Sequence, residues 1–242
     1  MNFQLKTDPG RVRSSNQDAM TAFTLAEQGV FAAVCDGMGG ANGGNIASDM
    51  CIRILEQKIR SEYAPEMDER AVLDLMKDAL SEANTTIYAR SVQEPELNGM
   101  GTTAVLILLR GTTLLIGNVG DSRAILFRGD DVHQLTKDHS YVQAMVDSGK
   151  ITEEEALTHP QKNIITRAIG VQAEVETDTF VHEFSDGDLL LLCSDGLTNE
   201  LSYERLQQLI QTTPRSGLAE ELIAQANAAG GHDNSTVVLV EA

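Results

Sequence analysis

Tryptophan is absent from the 242-residue chain, and aromatic residues make up only 4% of it. A core must therefore come from Leu, Ile, Val and Ala, within the 42% of hydrophobic residues. Positive charge is scarce. Lys and Arg number 18 against 36 Asp and Glu, for a formal net charge of −18. Nucleic acid as the main partner is excluded, because it needs a basic footprint. Docking on an anionic membrane is excluded for the same reason. The charge reads as a solvated acidic surface. Long apolar runs are missing too; none approaches the roughly 20 residues of a spanning helix, so membrane insertion is not expected. Met1 to Asp8 carry no apolar signal segment. There are three cysteines, Cys35, Cys51 and Cys193. The number is odd, and no pair has metal-site spacing. Cys35 and Cys193 lie in apolar runs, so they read as buried free thiols suited to a reducing cytoplasm. No repeat, linker or low-complexity tract divides the chain. Its length fits one domain, residues 1–242.

What is present is organised around Phe31-Ala-Ala-Val-Cys-Asp-Gly-Met-Gly-Gly40. An apolar run that stops at turn residues reads as a buried strand. Asp36 is expected at its end. The glycines after it let backbone approach whatever Asp36 holds. The pattern recurs. Leu189 to Leu192 lead through Cys193 and Ser194 to Asp195-Gly196, and Leu114 to Gly120 lead to Asp121. Asp18 precedes one candidate strand and Asp233 another. Five strand-edge aspartates from distant parts of a chain read as convergent ligands. With no His or Cys beside them they select Mg²⁺ or Mn²⁺ over Zn²⁺.

The chain resembles the PP2C-like family of metal-dependent protein serine/threonine phosphatases, in its compact bacterial form. The resemblance rests on segments in family order, beginning with Arg13-Ser-Ser-Asn-Gln-Asp18, Val34-Cys-Asp-Gly-Met-Gly-Gly40 and Gly101-Thr-Thr103. Gly117-Asn-Val-Gly-Asp-Ser-Arg123 and Leu135-Thr-Lys-Asp-His-Ser140 follow. Cys193-Ser-Asp-Gly-Leu-Thr198 and Gly231-His-Asp-Asn-Ser-Thr236 complete the set.

In order, the chain reads as strands, two helices, strands, a polar segment, strands, two helices and a strand. The helices are expected at about residues 44–60, 69–91, 202–211 and 216–228. Asp68 and Ser202 serve as N-caps. Residues 102–134 read as an antiparallel meander. The simplest packing is α+β: two antiparallel sheets face to face, each covered outside by a helix pair. The resemblance implies the same four-layer αββα sandwich. It also implies that residues 136–170 form a flap beside the active site, within which Thr152 and Glu155 fit a capping box.

The resemblance implies hydrolysis of phosphoserine and phosphothreonine in proteins, by water that two cations share. Asp36 bridges both cations, and the Gly37 carbonyl binds one. Asp195 and Asp233 hold the other, and Asp18 supports the first. Asp121, with Asp195, holds a third and weaker cation. Asn16 and Asn234 orient neighbouring carboxylates. Asp36, Asp195 and Asp233 form the catalytic set. Arg13 is assigned to the substrate phosphate, since a guanidinium grips two oxygens at once. Arg123 is expected to pair with an acid. His232 is the only histidine near these residues in sequence. Many bacterial relatives have histidine after the two glycines; this chain has Ala41. The partners implied are phosphoproteins and a cognate Ser/Thr kinase, with the protein a monomer. Two alternatives stay open: a silent metal- or phosphoprotein-binding module, and a phosphatase of small esters.

Overall fold

The computed structural model describes residues 2–241; side chains at residues 40–42 lie outside the description, that of Ala41 with them. The strands are β1 (Asn2–Asp8), β2 (Asp18–Thr24), β3 (Val30–Met38), β4 (Gly101–Thr102), β5 (Ala104–Arg110) and β6 (Thr113–Val119). They continue with β7 (Arg123–Arg128), β8 (Asp131–Gln134), β9 (Asp178–Glu183), β10 (Leu189–Cys193) and β11 (Ser235–Glu241). The helices are α1 (Gly40–Glu62), α2 (Glu69–Gln93), α3 (Tyr141–Asp147), α4 (Glu153–Leu157), α5 (Asp195–Thr198), α6 (Tyr203–Thr212) and α7 (Leu218–Ala229).

Two antiparallel sheets stack. One has the order β1-β11-β10-β7-β8, the other β2-β3-β5-β6-β9 with β4 beside β3. Strand alternation sorts the side chains into three apolar layers. Val34, Ile107, Leu190, Leu192 and Val238 fill the space between the sheets. Phe31, Leu106 and Leu108 face outward beneath α1 and α2, against Leu55, Met76 and Leu80. Leu191 and Leu239 face outward beneath α6 and α7, against Leu206 and Leu222. This is the expected αββα sandwich. All three cysteines are buried and free. Among the described residues no helix is long and apolar enough to cross a membrane.

The expected caps form. Asp68 accepts from the Ala71 amide, Ser202 from that of Arg205, and Thr152 and Glu155 make a capping box. Two expectations need correction. The strand bearing Asp36 does not stop there but runs on to Met38, because Gly37 and Met38 pair with Thr102 and Gly101. The meander is split. β5 and β6 pair with each other, but β7 pairs with β10 and β8 in the other sheet. The chain changes sheet between Val119 and Arg123, and Asp121 lies on that crossing. Spacing alone cannot tell a hairpin from a sheet change.

Candidate metal centre

The site grows out of the inner faces of the sandwich. Met20 lies opposite Val34 in the inter-sheet layer. One step along that face, Asp18 stands directly opposite Asp36. Like charges so placed destabilise a strand pair. In the other sheet, Leu192 and Val238 lead by the same alternation to Ser194 and Thr236. Their hydroxyls donate to Asp18 Oδ2 at 2.8 and 2.6 Å. Asp195 opens α5 just past Ser194, and Asp233 stands two residues before β11. The aliphatic layer thus ends in carboxylates supplied by both sheets.

Asp36, Asp121, Asp195 and Asp233 line one cavity of about 480 Å³, with Arg13 and Gly37 beside them. Burial, and then the charges of the other four aspartates, hold the Asp36 carboxyl well above its usual range. Burial also pushes Asp121 up to about 8, with the Asp195 and Asp138 charges adding to it. Asp18 is raised by burial to about 6, against the pull of its two hydroxyl donors. Asp195 is raised by burial and by Asp233. The shifts express one fact: negative charge is packed here away from water without enough positive charge to offset it.

Backbone and side chains around the cluster fix it. The Asp36 amide donates to Thr103 Oγ1, and the Asp36 carbonyl accepts from the Thr102 hydroxyl and the Thr103 amide. Asn199 donates to Asp195 Oδ2 at 2.9 Å. The sequence gives no sign of that contact, because Asn199 is the C-cap of a helix only four residues long. Among the described residues neither the Asn16 nor the Asn234 side chain bonds a carboxylate, but the Asn234 backbone amide does, donating to Asp233 Oδ1 at 2.8 Å. Asn16 accepts from the Asp18 amide, and Asn234 ties down Gln17, Pro9 and Ser15 through their backbone. Gly37 has a packing role as well: a Cβ there would lie 2.1 Å from the Gly44 carbonyl oxygen, so its bareness also serves the packing of α1 on β3.

Arg13 is at the cavity, bonded to Asp233 at 2.7 Å. Arg123 pairs with Asp138, as expected, and contacts no aspartate of the cluster. His232 bonds Glu200 at 2.7 Å. A second histidine, His139, bonds the backbone next to Asp121, which sequence spacing does not reveal. Its Nδ1 accepts from the Gly120 amide at 2.9 Å, and its own amide donates to the Gly120 carbonyl. The other ring nitrogen lies 3.1 Å from Asp178. His139 therefore ties the start of the flap to the sheet crossing that carries Asp121.

Among the described residues, no three His, Cys, Asp or Glu side chains converge tightly enough to grip an ion as they stand. Arg13 draws Asp233 to itself, and hydroxyls hold Asp18. The donors still fit a hard divalent cation. They are all oxygen, Asp18 Oδ1 is buried without a hydrogen-bond partner, and Asp18 faces Asp36 across a strand pair. Asp18, Asp36, Asp121, Asp195, Asp233 and the Gly37 carbonyl could hold such ions.

Known proteins resemble this chain over nearly its whole length. The serine/threonine phosphatase stp of Listeria innocua is 40% identical over 242 residues, covering 100% of this chain and 96% of its own. The Streptococcus agalactiae serine/threonine phosphatase structure superposes with a TM-score of 0.92 at 38% identity, covering 99% of this chain and 98% of its own. The catalytic domain of the phosphatase PstP, solved with two manganese ions, gives 0.84 at 36% identity, covering 98% and 96%. The family described as protein phosphatase 2C matches residues 10–228, and the chain belongs to that family.

Proposed function

We propose that this protein hydrolyses phosphoserine and phosphothreonine in proteins, using Mn²⁺ or Mg²⁺ held by the aspartate cluster. One observation carries the reading: five aspartates from five distant segments gather at one end of the inter-sheet layer, where the other four raise the charge burden on Asp36. Asp36 and the Gly37 carbonyl, with Asp195, Asp233 and Asp18, are assigned to two tightly held ions. Asp121, with Asp195, is assigned to a third and weaker one. When bound, such cations offset the phosphoryl charge and acidify the water that attacks phosphorus.

The chain's own residues do the rest. Arg13 binds the phosphoryl oxygens and leaves Asp233 free to act as a ligand. Thr102, Thr103 and Asn199 keep Asp36 and Asp195 in place. Among the described residues no histidine lines the cavity, so the proton for the departing serine oxygen comes through water on the Asp121 side. The phosphatase of small esters remains the competing reading, and the relatives named as serine/threonine phosphatase or protein phosphatase weigh against it. The silent module is the weaker alternative, because all five aspartates are present and gathered.

Residues 1–242 act as one domain in this reading, since both sheets share one inner layer. The protein is monomeric and cytoplasmic, and a cognate kinase supplies its phosphoproteins. The test compares phosphopeptides with metabolite phosphates in Mn²⁺ and in excess chelator. Turnover of phosphopeptides that chelator abolishes supports the proposal. Full activity in chelator ends it.

A further inference from the structure

A second cavity, of about 710 Å³, opens beside the first, and Met38 and Ile165 line both. Its floor is apolar, from Met38, Ile165, Val171 and Val175, and its far rim carries Glu174 and Glu176. The wall at residues 170–173 is firmly built. Asn84, almost fully buried on α2, accepts from the Gly170 amide and donates to the Gln172 and Ala173 carbonyls. Ile169 and Thr102 exchange both backbone hydrogen bonds. Gly170 has φ +86, and a Cβ there would press on Ile87. Val171 lies over Gly101, whose missing Cβ leaves it room. The groove is thus formed before anything enters it, as small recognition sites usually are.

Its lining carries one guanidinium, Arg167, already paired with Asp178 at 2.7 Å, against two carboxylates, Glu174 and Glu176. Glu174 is exposed and has no ion-pair or hydrogen-bond partner among the described residues. Glu176 reaches Arg167 at 3.2 Å but stays 80% exposed. An apolar floor ending in the unpaired carboxylate of Glu174, with the largely exposed Glu176 beside it, suits a Lys or Arg, whose stem lies on the floor while its head stays at the rim. One occupant follows from continuity. A phosphoresidue in the first cavity must send its neighbours over the shared Met38–Ile165 wall, at about 3.3 Å per extended residue.

We infer that this groove binds the substrate protein's own chain beside the phosphoresidue, and that Glu174 and Glu176 select a basic residue there. The inference rests on the phosphoprotein reading above. The test uses the full-length enzyme with Mn²⁺ at low ionic strength. Its substrates are phosphothreonine peptides with Arg, Ala or Glu placed at each position within about four residues of the phosphothreonine, with p-nitrophenyl phosphate as control.

Arg on one side should raise kcat/KM about three- to tenfold over Glu, through KM, which is the scale of solvent-exposed charge pairs. Glu174→Lys should turn the preference toward Glu and leave p-nitrophenyl phosphate turnover unchanged. A flat response at every position, or a preference that survives Glu174→Lys, overturns the inference while leaving the phosphatase reading intact. Turnover of p-nitrophenyl phosphate with none of any phosphopeptide overturns both.

Discussion

Arg13 Nη2 lies 2.7 Å from Asp233 Oδ2, joining residues 220 apart in sequence. The pair is more than one-third exposed on both sides, and such pairs contribute little by themselves. Its meaning is competition, since one guanidinium serves either a carboxylate or a phosphate. Arg13→Ala should lower kcat/KM by about 10- to 150-fold, the equivalent of losing a charged hydrogen bond of about 1.5–3 kcal/mol. Metal affinity, measured by calorimetry, should not weaken, because Asp233 is released. Arg13→Lys should recover only part, lacking the fork. Unchanged kinetics in Arg13→Ala would show a mere surface charge.

Without metal, stability should fall as pH rises. Burial raises Asp121 to about 8 and Asp18 to about 6, and holds Asp36 and Asp195 above their usual range. An acid raised in the folded state keeps its proton there but loses it on unfolding. Its contribution is therefore full below the ordinary value of 3.8 and is lost as pH climbs through the folded value, about 8 for Asp121. Thermal melts in chelator should show Tm declining from about pH 4 to about pH 8. Asp121→Asn should flatten the upper part of that decline, and excess Mn²⁺ should reverse it. A metal-free Tm that rises between pH 6 and 8, the folded values of Asp18 and Asp121, would contradict the crowding of charge.

Asp121 should behave unlike Asp36. It sits on the crossing between sheets, whereas Asp36 is pinned within β3 by Thr102 and Thr103. Asp36→Asn should lose at least about a hundredfold in turnover, as metal-assisted effects go. Asp121→Ala should retain two tightly bound ions by calorimetry. It should lose more activity on phosphopeptide, whose alkoxide needs a proton, than on p-nitrophenyl phosphate, whose phenolate does not. Loss of the tight pair as well would place Asp121 in the central site.

His139 is a structural tie. Its Nδ1 accepts from Gly120, so the proton sits on the ring nitrogen facing Asp178. Burial pulls the ring below its ordinary value of 6.5. His139→Ala leaves a buried amide unpaired and should cost about 1–3 kcal/mol in denaturant melts. A ring kept neutral in the folded state stabilises above 6.5 and loses that contribution as pH falls, so the gap between parent and variant should narrow in acid. His139→Asn, which can offer an acceptor to Gly120, should recover part. A variant as stable as the parent would remove this role.

The layers and the five aspartates were legible because both depend on local pattern. Val34 and Asp36, or Val238 and Thr236, keep one parity along a strand, so alternation already places them on one face. Asn84 and His139 were not legible. Each acts on backbone far along the chain, Asn84 on Gly170 and His139 on Gly120, and nothing local marks such partners. The split of the meander was hidden for a related reason. Gly120 and its neighbours look like any hairpin turn until the hydrogen bonds of β7 are seen to belong to the other sheet.

Asp18 and Asp36 belong to one sheet, while Asp195 and Asp233 adjoin strands of the other, and the gap between them is set by Val34, Leu190, Leu192 and Val238. The sandwich therefore acts as a calliper whose jaws are the carboxylates and whose setting is the thickness of the hydrocarbon between them. Catalytic dimensions are inherited from residues that touch neither metal nor phosphate. Directed evolution of metal preference in this protein need not begin at the aspartates: a methylene added or removed at Leu192 or Val238 would reset the jaws with every aspartate unchanged in identity.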